Sequence, residues 1–253
     1  MEKVIKYSKR SNAGIYYSVD RKDFVCLEIN IPVDGKWMKN VFLIAQKILP
    51  KLNDKEASSS EKREFKIKQI DNLSGLIAEY ACQEILTWRY GKEKFWKAAN
   101  NTSDGQVDLN LCNGKSIEVR SSCVRNGIDF AIFAKDKDAE KEQYFDVIGP
   151  YSNGYKKGES FKDYYMRVLY ECDKKDFMDL LAKPALKLFI TGGATKEMMK
   201  NSDYYQIKHL TPAGGQVKVE SDYIVVPLAK SLDINSFFQV LERENEELNV
   251  IRR

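Results

Sequence analysis

A chain reversal at Asn113-Gly114 constrains this chain more than any other feature. It sits inside Asp108-Leu-Asn-Leu-Cys-Asn-Gly-Lys-Ser-Ile-Glu118-Val-Arg120-Ser-Ser122, with a short β-type run on each side. Side chains two apart on a strand share a face, so Glu118 and Arg120 point the same way. The loop length decides whether Asp108 joins them. A two-residue turn pairs Cys112 with Lys115 and sets Asp108 opposite Val119, on the other face, because a one-residue slip inverts a strand. A three-residue loop, with Gly114 left-handed in a G1 bulge, pairs Leu111 with Lys115 and sets Asp108 opposite Glu118. The second register also gathers Val107, Leu109, Leu111, Ile117 and Val119 on one apolar face, as a half-buried sheet requires. The bulged register is therefore expected. Two carboxylates that close repel each other unless they share a cation.

The chain has 253 residues, enough to bury a sizeable core, and is 43% hydrophobic and 31% charged. No apolar stretch is long enough to span a bilayer and the N-terminus lacks a signal-peptide core, so a cytoplasmic location is expected. The five cysteines are scattered with no CxxC pair, which argues against a cysteine zinc site and for reduced thiols. A single histidine, His209, excludes multi-histidine metal sites. No Gly-x-Ser-x-Gly elbow accompanies it. The net charge of +4 permits a nucleic-acid partner without demanding one.

Strands are expected at 15–19, 24–31, 128–133, 144–148, 164–170, 186–190 and 223–228. Helices are expected at 37–49, 73–88, 174–182 and 233–248, the last capped by Asp233 or Asn235. The polar stretch 53–62 reads as a linker. An α/β protein follows, with a central mixed sheet flanked by helices, and a division into an N-terminal hairpin-plus-helix subdomain (1–60) and a larger domain (61–253).

The order of elements, a helix carrying Gly75-Leu-Ile-Ala-Glu79, then Asp108, then Glu118-Val-Arg120, resembles the PD-(D/E)xK nuclease superfamily, the restriction-endonuclease-like fold, over about residues 70–135. The resemblance implies a Mg²⁺-dependent endonuclease acting on double-stranded DNA, most plausibly a type II restriction enzyme working as a homodimer. On the family's pattern Asp108 and Glu118 hold Mg²⁺, and Glu79 adds a metal or water contact. Arg120 stands where the family usually has lysine. Lysine can shed a proton when desolvated, whereas arginine stays charged, so Arg120 suits charge stabilisation and not proton removal. That departure keeps two alternatives open: another nuclease of the same fold in repair, recombination or phage defence, and an inactive nucleic-acid-binding module.

Three further loops are candidates for contact. Tyr151–Lys157 is basic and aromatic, Gly192–Lys196 is a strand-to-helix turn that could present N–H groups to phosphate, and Thr211–Gln216 lies near His209.

Overall fold

A computed structural model describes residues 5–11, 23–52, 64–97, 107–124, 129–130, 142–143, 146–152, 159–209 and 222–248. In chain order, β1 (Ile5–Ser11), β2 (Asp23–Pro32), α1 (Lys36–Ile48) and α2 (Phe65–Tyr90) precede β3 (Phe95–Lys97), β4 (Leu109–Leu111) and β5 (Ser116–Val124). Short strands β6 (Asp129–Phe130) and β7 (Glu142–Gln143) follow, then β8 (Val147–Tyr151), β9 (Tyr164–Asp173) and α3 (Phe177–Leu180). The chain closes with β10 (Ala185–Thr195), α4 (Lys196–Lys200), β11 (Gln206–His209), β12 (Asp222–Val226) and α5 (Ile234–Glu244). The expected loops at 53–62, 153–157 and 211–216, and the strand at 15–19, lie outside the described residues.

A mixed seven-stranded sheet runs in the order β1-β2-β10-β9-β5-β4-β3. Every neighbouring pair is antiparallel except β5 and β9. Period-two alternation on β2 divides its side chains. Leu27, Ile29 and Ile31 join the core beneath the helices, and Phe24 and Cys26 join a separate cluster on the opposite face. The helix-side core also takes Met38 and Val41 from α1, Ile77, Ala81 and Ile85 from α2, and Phe237 and Leu241 from α5. Residues of β2 and α1 therefore share one core with α2 and α5. On the other face, Tyr165 of β9 and Ala194 of β10 pack with Val147, Val226 and the methionines of α4. Val147 and Val226 come from a second sheet, ordered β11-β12-β8.

The helix α2 begins eight residues before the stretch expected from sequence, because Ile70 continues the buried stripe and nothing upstream breaks it. Asp233 caps α5 as expected, accepting from the Ser236 N–H at 2.8 Å. The turn expected at 192–196 is instead strand: β10 runs on through a bulge to Thr195, whose hydroxyl caps α4. Gly192 has φ +107°, and Gly193 exchanges both backbone hydrogen bonds with Leu232 at 2.9 Å. The Gly193 N–H is thus committed and unavailable to a phosphate.

Candidate functional site

The hairpin adopts the bulged register. The Leu111 N–H donates to the Lys115 carbonyl at 2.8 Å, Leu109 pairs with Ile117, and Gly114 takes φ +84°. Continued one step, this register sets Asp108 beside Glu118. The strand β4, however, stops at Leu109. In an uninterrupted ladder the Val119 N–H would meet residue 107. Here the Asp108 carboxylate takes that place, with Oδ2 accepting from Val119 N at 2.7 Å, while the Asp108 N–H donates to the Ile117 carbonyl at 3.2 Å. Asp108 therefore caps the torn edge of β5, close to the plane of the sheet.

That position lets Asp108 sense both layers. Burial pushes its carboxyl well above the usual carboxylate range. The charges of Glu79 and then Glu118 push the same way, while the Val119 N–H and Arg120 pull back. On the helix side, Glu79 of α2 pairs with Lys97 of β3, Oε2 to Nζ, at 2.6 Å, with little of either side chain exposed. The Lys97 ammonium also stands 4.3 Å from the centre of the Tyr80 ring. Burial raises Glu79 and the Lys97 charge opposes it, with burial the stronger. The thiol of Cys82, one turn on, is raised by burial and then by Asp108 and Glu79, which places both acids near the inner side of α2.

The other face of β5 carries Glu118, buried, in an ion pair with Arg120. The Arg120 guanidinium also lies 3.8 Å from Glu159, whose Oε2 accepts from the Tyr151 N–H at 2.9 Å. Burial works against the Arg120 charge. Glu118, Tyr223, Asp108 and Glu159 outweigh it, so the group is held firmly protonated. Its Nε is buried with no hydrogen-bond partner among the described residues.

The four residues singled out from sequence thus fall around one point, the end of β4, but on two sides of the sheet. Lys97 and Glu159 belong to the same electrostatic cluster and were not anticipated. The alternation of Phe95, buried, with Trp96, exposed, was the available signal for β3, and three residues are too few to read as a strand. Nothing local marks Glu159.

In donor type, three carboxylates suit a hard divalent cation. As arranged, each acid is engaged: Glu79 by Lys97, Glu118 by Arg120 and Asp108 by Val119. Among the described residues, no three of His, Cys, Asp and Glu converge closely enough to form a metal cluster. No described helix is long and apolar enough to cross a membrane.

The chain is 22% identical to an uncharacterized protein of the archaeon Methanocaldococcus jannaschii, an alignment covering 85% of this chain and 86% of that one. No family model matches the chain. No solved structure matches it.

Proposed function

We propose that the protein is a Mg²⁺-dependent endonuclease acting on double-stranded DNA, with a restriction-endonuclease-like core and, most specifically, the role of a sequence-specific type II restriction enzyme. One observation carries the reading. Asp108 leaves the ladder at the end of β4 and faces the fields of both Glu79 and Glu118, with a permanently charged arginine alongside. Mg²⁺, when bound, would polarise the scissile phosphate and make water a stronger nucleophile. Asp108 and Glu118 would hold it, and Glu79 would complete the set once Lys97 yields an oxygen. Arg120 neutralises charge developing on the phosphoryl oxygens and cannot accept a proton. Proton acceptance falls to a carboxylate or a substrate phosphate. A two-fold homodimer would match palindromic sites.

The test is incubation with unmethylated phage DNA and Mg²⁺. Discrete fragments are expected, and Glu118→Gln should abolish them while leaving DNA binding in place. A second reading, a binding module without chemistry, is favoured by the engagement of all three acids and by arginine at position 120. It predicts shifted but uncut DNA, identical for wild type and Glu118→Gln.

A further inference from the structure

We infer that Cys123 and Cys172 form a dithiol site that a peroxide oxidises to an intramolecular disulfide joining β5 to β9, independently of any nuclease chemistry. The two Sγ atoms lie 4.0 Å apart although 49 positions separate them in sequence. Cys123 pairs in register with Tyr170, and the next pairing jumps to Val124 with Asp173. That irregularity brings Cys172 within reach of Cys123. Both thiols are half-buried at the rim of the helix-side core, whereas Cys82 is sealed inside that core, Cys26 is sealed in the cluster on the opposite face, and Cys112 is exposed far along the hairpin.

The thiols are unequal. The contact between the two sulfurs lowers the Cys172 pKa against the opposition of burial, Asp176 and Asp173, with Lys183 assisting. The same contact and burial raise Cys123, where Lys174 and Asp71 act in opposite senses. The Lys183 charge near Cys172 favours a thiolate there, so we assign Cys172 as the attacking thiol. Its thiolate displaces hydroxide from hydrogen peroxide: an S–O bond forms, the O–O bond breaks, and a sulfenic acid remains. The Cys123 sulfur then attacks that sulfur, forming S–S and expelling the oxygen as water. Two thiols lose two electrons and two protons, and one peroxide becomes two waters. Closing 4.0 Å to a bonded distance requires movement, which the interrupted ladder at this end of β9 can supply.

The test uses the full chain, reduced, then exposed to hydrogen peroxide, alkylated under denaturing conditions and digested. A linked peptide pair holding Cys123 and Cys172 is expected, with Cys26 and Cys82 recovered alkylated. This needs no variant and so no variant's stability. In Cys123→Ser, a 1,3-dione probe should trap the sulfenic acid on Cys172. In Cys172→Ser, labelling of Cys123 should be at least about tenfold slower. Recovery of both thiols under peroxide that oxidises Cys112 overturns the site, and equal labelling in the two variants overturns the order of attack.

Discussion

Lys97 is the residue on which the charge of Glu79 depends. The pair is mostly buried, so removing one partner strands the other in a medium that disfavours it. Lys97→Met should cost about 3–5 kcal/mol in urea unfolding, and adding Glu79→Gln should recover most of that loss. Equal stability of wild type and single variant would show that the pair contributes nothing. At this scale the sequence exposes acids but not their partners. Asp108, Glu118 and Arg120 sit within one hairpin, where period-two geometry relates them directly. Lys97 and Glu159 approach from elements whose positions only tertiary packing sets. Nor did the spacing show that Asp108 would cap the Val119 N–H, because that depends on where β4 ends.

Two features hold the hairpin and strand β5. Gly114, at φ +84°, occupies a conformation that costs an L side chain, so Gly114→Ala should lower stability by about 1–2 kcal/mol in the urea midpoint. Asp163 ties the start of β5 to the start of β9, its Oδ2 accepting from both the N–H and the hydroxyl of Ser116 at 2.9 Å. Burial raises its pKa, but those hydrogen bonds and Lys196 prevail, leaving it below the ordinary value. A depressed carboxylate stabilises the fold above its unfolded pKa, near 4, and loses that contribution as pH falls through the folded value. Asp163→Asn should therefore be less stable than wild type at pH 7, and the difference should shrink as urea midpoints are taken downward from about pH 4. The strands β5, β9 and β10, and the helices α1 and α5, could be read from periodicity and caps. The strand β11 and the early start of α2 could not, since β11 is short and polar and α2 has no capping side chain at its first turn.

Across the whole molecule, the α/β class was legible because helix-period and strand-period segments alternate along the chain. The strand order was not, because it places β2 beside β10, which joins segments more than 150 positions apart. On its other edge β10 meets β9, and that pairing rests on Gly193. A β-carbon there would fall 1.8 Å from the Tyr165 carbonyl oxygen, so β9 and β10 would have to separate. Gly193→Ala should cost about 3 kcal/mol or more, read as a lowered thermal midpoint. A midpoint unchanged from wild type would mean the strands spread freely.

The parallel pairing of β5 with β9 bears on how the molecule can be dissected. Glu79, Asp108, Glu118 and Arg120 all reside between positions 64 and 124, yet β5 owes one entire edge to residues 164–173. A truncated polypeptide ending at 124 would keep every one of those side chains and leave that edge of backbone donors and acceptors bare, a template for self-association. The edge of β5 is completed only by a distant stretch of chain, a contact of high sequence separation.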